Sequence, residues 1–134
     1  MDVVIDTNIL VSALWSKNGA PAKIVSMVVS GTLEPCYDYR ILNEYREVLH
    51  RPKFGFSDSE INSLLDWFEV NGRSVVADQI EDSFIDEADK KFYEVAKFCQ
   101  AKLITGNMKH FPTDPLVVSV SEFLKQYKGV DDKR

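Results

Sequence analysis

Acidic and amide side chains recur along this chain, each beside an apolar segment. The first is Asp6, which ends the β-branched apolar run 3–5. A carboxylate at the carboxyl end of a buried strand lies where open α/β sheets bind ligands, although the same position also suits a helix N-cap. Further polar groups of this kind follow at Glu44, Asp89 and Asn107. Together they predict an oxygen-ligand metal site, and a bound Mg²⁺ there could activate water for phosphodiester hydrolysis.

The segment 41–49 predicts an amphipathic helix with two acids in different settings. At about 100° per residue its apolar side chains form one stripe. Glu44 lies on the flank of that stripe, whereas Glu47 points the opposite way, towards water. Glu44 is therefore the acid expected to lean over a cleft beside the core.

The segment 86–98 gives a similar result, with Ala88 among the residues of its predicted buried face. Asp89 borders this face, and Lys90 and Glu94 are expected to project away from it. Asp86 lies near the start of the helix, where the helix dipole favours a carboxylate. For this segment alone, an N-cap at Asp86 and an ordinary first-turn acid at Asp89 explain the pattern equally well.

The segment 102–112 predicts a buried strand followed by a turn of Thr105, Gly106 and Asn107. Glycine permits a sharp turn that would bring the Asn107 side chain to the edge of the sheet. Thr-Gly-Asn is also a common turn sequence without further function, so this segment carries little weight alone.

Strand and helix signals alternate throughout the chain. Interleaving of this kind predicts a three-layer α/β/α fold around a mainly parallel sheet of about four to five strands. At 134 residues we expect one domain over 1–128 and a frayed tail over 129–134. Pro35 suggests that its strand is an edge or ends irregularly. The predicted strands are 3–6, 33–37, 74–77, 102–105 and 116–118, and the predicted helices are 8–16, 20–30, 39–51, 57–70, 86–100 and 119–128.

Composition excludes several classes of protein. Cys36 and Cys99 are the only cysteines and have no paired spacing, which excludes a zinc ribbon. The phosphate-binding and nucleophile motifs GxxxxGK[ST], GxGxxG and GxSxG are absent. We expect no membrane span, no secretory signal and a cytoplasmic location. The net charge of −5 argues against a nucleic-acid partner, unless several acids share bound cations.

Four short motifs, in order and spacing, resemble those of the PIN-domain nucleases, and most of all the VapC-like toxin components of prokaryotic toxin–antitoxin systems. The resemblance covers about residues 2–128. It implies a ribonuclease that cleaves single-stranded RNA with one or two Mg²⁺ or Mn²⁺ ions, an antitoxin protein as partner, and a homodimer. The motifs are Asp6-Thr7-Asn8, Asn43-Glu44, Asp89-Lys90-Lys91-Phe92 and Thr105-Gly106-Asn107.

The resemblance also implies roles for individual residues. Asp6, Glu44 and Asp89 match the three principal acids, and are the expected catalytic residues and metal ligands. Asn107 matches a position where many members have Asp, so this chain has one negative charge fewer there, and the Asn107 carbonyl oxygen is a candidate neutral ligand. The expected supporting residues are Thr7, Asn8, Ser12, Asp86 and Thr105.

Contacts to RNA phosphates are expected from Arg46, Lys109 and His110, because they lie on helix and loop flanks adjacent to the acids. Each of these is, taken alone, also compatible with an ordinary surface residue. Phe54 and Phe111 could stack a base, or could pack against the domain.

Two other functions compete with the nuclease. A degenerate PIN domain would bind RNA or a protein without catalysis, and Asn107 is the feature that favours it. Three clustered acids argue against this, since unpaired carboxylates in a cleft cost stability. A phosphatase with an aspartyl nucleophile needs a second Asp at the position of Asn8. For the homodimer, apolar stripes at 24–29 and 61–68 are candidate interfaces, and either could equally be core.

Overall fold

Five short parallel strands form one sheet in the order β3-β2-β1-β4-β5. The computed structural model describes residues 1–81, 83–84 and 86–131. Parallel strands need crossover connections, and the helices supply them on the faces of the sheet. The predicted α/β fold with a mainly parallel sheet is confirmed. The strands are β1 (Asp2–Ile5), β2 (Glu34–Tyr37), β3 (Arg73–Ser74), β4 (Lys102–Ile104) and β5 (Val117–Val118).

Five of the six α-helices within the described residues lie between strands, and the last helix follows the last strand. Single 3₁₀ turns precede α4 and α5, and another follows β4, at Pro52–Phe54, Glu87–Asp89 and Met108–His110. The last helix extends to Asp131, and residues 132–134 lie outside the described part, so the domain boundary at 128 stays a prediction. The helices are α1 (Thr7–Trp15), α2 (Ala20–Val29), α3 (Tyr39–Leu49), α4 (Asp58–Asn71), α5 (Lys90–Cys99) and α6 (Val120–Asp131).

The edge position predicted from Pro35 is wrong, because β2 is an inner strand between β3 and β1. The Glu34 amide bonds to Met1 on the β1 side, so the next residue, Pro35, turns its nitrogen towards β3. β3 pairs only with Cys36 and Tyr37. The N–H that proline lacks would therefore face no ladder partner, and proline is tolerated here.

A buried contact of Tyr45 with Ile5 links α3 to β1. Tyr45 is fully buried, and its hydroxyl donates a hydrogen bond to the Ile5 carbonyl oxygen. Its ring lies edge-on to Phe68 at 5.6 Å between centroids and tilted against Phe92 at 6.3 Å. Because Tyr45 follows Glu44 and Ile5 precedes Asp6, this contact fixes two of the predicted ligands relative to each other.

The two stripes considered for dimerisation mostly belong to the core. Ile24 and Val28 on α2 are buried, as are the four apolar residues of α4 named below. Val29, at the end of α2, is the exposed apolar residue in these stripes. Val25 and Trp67 are half-buried and, with Val29, line a surface groove between α1, α2 and α4. The buried α4 residues are Ile61, Leu64, Leu65 and Phe68.

Among the described residues, no helix combines the length and apolar character needed to cross a bilayer.

Candidate metal and RNA-cleavage site

Asp6 lies at the carboxyl end of β1 with only 4% of its surface exposed. Its backbone amide donates to the Ile104 carbonyl oxygen of the neighbouring strand, at 3.0 Å. The Thr105 hydroxyl, which follows that strand, donates to Asp6 Oδ2 at 2.7 Å. Parallel pairing of β1 with β4 therefore brings these two positions together, although 99 residues separate them in the sequence.

Glu44 lies on α3 and is half-buried, as its position on the helix flank predicts, whereas Glu47 is exposed. The Thr7 hydroxyl donates to Glu44 Oε2. On the other side, the Lys91 ammonium donates to Glu44 Oε1 at 2.7 Å. α1 and α5 thus hold the carboxylate between them.

Asp89 ends the 3₁₀ turn before α5. Its Oδ2 is 3.0 Å from Nδ1 of His110, which follows β4. Asp86 starts the same turn, and its side chain accepts a hydrogen bond from the Ala88 amide at 2.9 Å. Asp86 is therefore a cap. Because α5 begins only at Lys90, Ala88 is exposed rather than buried as predicted.

The three acids are close enough to perturb one another. Burial raises the pKa of Asp6 from 3.8 to about 6. The Thr105 hydrogen bond opposes this rise, and the charges of Asp89 and Glu44 add to it. Burial also raises the pKa of Asp89, against a hydrogen bond from His110. A cluster whose carboxylates resist ionisation is one that a cation would stabilise.

The raised pKa of Asp6 predicts how pH affects the stability of the metal-free protein. Between about pH 4 and 6 the folded chain binds more protons at Asp6 than the unfolded chain, so the free energy of unfolding falls as pH rises through this window. Asp6→Asn removes the effect, and we expect it to be more stable than the wild type at pH 7 by up to about 3 kcal/mol.

Urea unfolding in EDTA at pH 4 and pH 7 measures this difference. The exposed Asp66→Asn on α4 is the matched control. The stability difference between Asp6→Asn and the wild type should be larger at pH 7 than at pH 4, whereas that of Asp66→Asn should not change in this way. An Asp6→Asn difference that is equal at the two pH values would contradict a raised pKa of Asp6 in the folded protein.

Lys91 belongs to the Asp89-Lys90-Lys91-Phe92 motif, but its contact with a site acid was not predicted from the sequence. Its side chain is only 13% exposed. Besides Glu44, it donates to the Ala88 carbonyl oxygen. Nothing in the local pattern around Lys91 indicates this, since its partner lies 47 positions away on another helix. A fixed ammonium at this place offsets part of the negative charge of the acids.

The donor set suits a hard divalent cation, with carboxylate oxygens from three elements. In this arrangement, however, no three Asp, Glu, His or Cys side chains of the described residues are grouped as metal ligands. Glu44 is engaged by Lys91 and Thr7, and Asp89 by His110. The three carboxylates offer the hard oxygen atoms that a divalent cation takes, and Glu44 becomes available to such an ion once Lys91 leaves it.

Asn107 lies beside the acids through its backbone, whose amide donates to the Thr105 hydroxyl at 2.9 Å. With Lys109, His110 and Ser12 of α1 it lines a groove of about 650 Å³. Ser12 and Asn8 are exposed, and among the described residues neither side chain hydrogen bonds to Asp6.

Arg46 is turned towards α4. Its guanidinium is 3.5 Å from Glu69 Oε1. The structure therefore brings Lys109 and His110, but not the charged group of Arg46, to the groove beside the acids.

Comparison with known proteins gives one family match. A family model described as "PIN domain" matches residues 2–109, which includes the three acids and Asn107. No curated protein and no solved structure gave a significant match.

Proposed function

The chain belongs to the PIN-domain family, and from this premise we propose that it is an endoribonuclease that uses Mg²⁺ or Mn²⁺ to hydrolyse phosphodiester bonds of single-stranded RNA. The observation that supports the proposal best is the buried Asp6 at the carboxyl end of β1, whose pKa is raised to about 6 by burial and, to a smaller extent, by the charges of Asp89 and Glu44. Family membership by itself supports only a nuclease-like fold. The three carboxylates add the groups that could bind a metal for hydrolysis.

In this proposal Asp6, Glu44 and Asp89 hold one or two ions, and the Asn107 amide oxygen is a neutral ligand. When bound, the metal supplies a Lewis acid and lowers the pKa of a coordinated water. Asn107 in place of an acid leaves one negative charge fewer, which favours one ion over two.

The chain's own residues orient these ligands. The Thr105 hydroxyl holds one oxygen of Asp6, and the Thr7 hydroxyl holds one oxygen of Glu44, so that both carboxylates have fixed directions. His110 holds Asp89 in the same way. Asn8, Ser12 and Asp86 are proposed to support the site less directly, as exposed polar groups at its rim.

The groove beside the acids is proposed to take the substrate phosphates. Lys109 and His110 line this groove, and because His110 contacts Asp89, a phosphate next to them would lie near that carboxylate. Arg46 would contact RNA only after leaving Glu69.

Cleavage of end-labelled oligonucleotides tests the proposal. Single-stranded RNA, the same sequence as a duplex, and single-stranded DNA are incubated with the protein and Mn²⁺ or Mg²⁺, with and without EDTA. We expect cleavage of the single-stranded RNA alone, lost in EDTA. Metal-independent cleavage, or cleavage of none of these by protein that binds Mn²⁺, would overturn the proposal.

We further propose that this nuclease is the toxin of a toxin–antitoxin pair, acts in the cytoplasm, and forms a homodimer that an antitoxin protein inhibits. The likeness of its four motifs to the VapC-like group supports this role. Induced expression in a bacterial host should arrest growth, and the Asp6→Asn variant should not. Unimpaired growth with the active wild-type protein would contradict the toxin role.

A degenerate PIN domain that binds RNA or a protein without cleavage is the second candidate. The contact that favours it is the Lys91 ammonium on Glu44, which neutralises one of the three acids without a metal. RNA binding with no cleavage in any metal would establish this alternative.

A further inference from the structure

Three aromatic rings form a cluster at the protein surface. Trp15 ends α1 and is 63% exposed. Its ring lies edge-on to Phe54 and Phe56, with centroids 5.8 and 6.2 Å away. Phe54 and Phe56 are stacked on each other at 5.6 Å. We call these three residues the aromatic cluster.

A cation accompanies the aromatic cluster. The Lys53 ammonium lies 5.2 Å from the centroid of the Phe54 ring. Lys53 forms no ion pair with a carboxylate among the described residues, unlike Arg51, which pairs with Glu47 at 2.9 Å. The exposed Trp15 ring together with the Lys53 charge is complementary to a ligand that has both aromatic groups and negative charge.

The aromatic cluster lies at the far end of the two helices that carry part of the acidic site. α1 begins beside Asp6 and ends at Trp15, about 12 Å along its axis. α3 carries Glu44 and leads into the segment 51–56.

We propose that the aromatic cluster and Lys53 form a stacking platform for bases of the single-stranded RNA that extends from the acidic site. The proposal rests on the nuclease function and specifies how its substrate is held. Stacking on rings combined with contact between lysine and phosphate is the usual way to bind a single strand without sequence preference. The separation of the cluster from Asp6 is one that a few nucleotides of single strand can span.

The two tryptophans permit a direct test, because Trp67 is half-buried with its indole N–H bonded to the Val28 carbonyl oxygen. In Trp67→Phe protein, Trp15 is the sole tryptophan, and selective excitation of tryptophan makes it the reporter. We titrate this protein in EDTA with an eight-nucleotide RNA and with a dinucleotide. The longer RNA should quench the Trp15 fluorescence, and the dinucleotide should leave it unchanged.

Affinity provides the second readout. By fluorescence anisotropy in EDTA, Trp15→Ala should bind the eight-nucleotide RNA about ten-fold or more weakly than the wild type. The matched control is Val70→Ala at the end of α4, where the side chain is 80% exposed, and it should bind as the wild type does.

Unchanged affinity of Trp15→Ala together with no quenching would overturn the platform. So would a loss of dimer in Trp15→Ala with RNA affinity unchanged, because the cluster would then be an interface between copies of the chain. Because EDTA prevents metal-dependent cleavage, binding is measured separately from catalysis. RNA binding with quenching of Trp15, but without cleavage in Mn²⁺, would contradict only the nuclease. RNA cleavage in Mn²⁺ with no effect of Trp15→Ala on affinity and no quenching would contradict only the platform.

Discussion

Asp6→Asn should leave the protein folded and reduce RNA cleavage by at least about a thousand-fold. Lewis-acid and water activation by a bound metal contributes several kcal/mol to lowering the barrier, and each 1.36 kcal/mol corresponds to a factor of ten in rate. Asn can still accept the Thr105 hydrogen bond, but it lacks the charge that a divalent cation requires. The measurement is the initial rate of single-stranded RNA cleavage at saturating Mn²⁺.

Glu47→Gln is the control for this experiment, since Glu47 is an exposed acid on the helix that carries Glu44. It should cleave at the wild-type rate. An Asp6→Asn protein with more than about a tenth of the wild-type rate would show that the buried carboxylate is not a metal ligand essential for catalysis, because loss of one would remove far more than one factor of ten.

Glu94→Ala should destabilise the protein by about 2–3 kcal/mol, because it removes a buried carboxylate that accepts a charge-assisted hydrogen bond and a backbone hydrogen bond. Glu94 is only 4% exposed. It accepts hydrogen bonds from Arg40 at 2.8 Å and from the Ile80 backbone amide at 2.7 Å. Arg40 also pairs with the buried Asp38 at 2.6 Å. Without Glu94, part of the guanidinium and one backbone N–H would lose their partners.

Chemical denaturation at neutral pH measures this loss. Glu94→Gln keeps the shape and an acceptor, and should lose less than Glu94→Ala. Glu47→Ala removes an exposed i,i+4 partner of Arg51, and should cost at most about 1 kcal/mol. If Glu94→Ala is no more destabilising than Glu47→Ala, the buried network is not a structural element of this fold.

The same network matters for the acidic site. Asp38 caps α3 by accepting a hydrogen bond from the Ile41 amide at 3.0 Å, and Arg40 then links this helix start to α5. α3 carries Glu44, and α5 carries Lys91. The Arg40 contacts therefore set the separation of the two helices between which the Glu44 carboxylate lies.

Local sequence pattern predicted those parts of the site that depend on one element at a time. The β-branched run before Asp6 gives a buried strand with a carboxylate at its end. Parallel pairing with β4 then brings the end of that strand beside the carboxylate. The apolar stripe of α3 correctly separates the half-buried Glu44 from the exposed Glu47. These positions follow from the periods of strands and helices, which the sequence displays directly.

The errors arise where two elements meet. Glu94 is buried although the helical wheel predicts that it projects into water, because a wheel identifies the apolar face of α5 but not the residues that cover its other face. Arg40, its partner, lies 54 positions earlier. The contact of Lys91 with Glu44 was missed for the same reason. Charged pairs of this kind depend on how helices pack, and no local period encodes them.

The measurement that tests the central claim most directly is a Mn²⁺ titration in which metal binding, by the loss of the free-ion EPR signal, and RNA cleavage are followed in the same samples. We expect the cleavage rate to rise in proportion to bound Mn²⁺, and Asp6→Asn to lose both binding and cleavage. Cleavage that persists in metal-free wild-type protein, or Mn²⁺ binding unchanged by Asp6→Asn, would contradict the assignment of Asp6, Glu44 and Asp89 as the metal site of a ribonuclease.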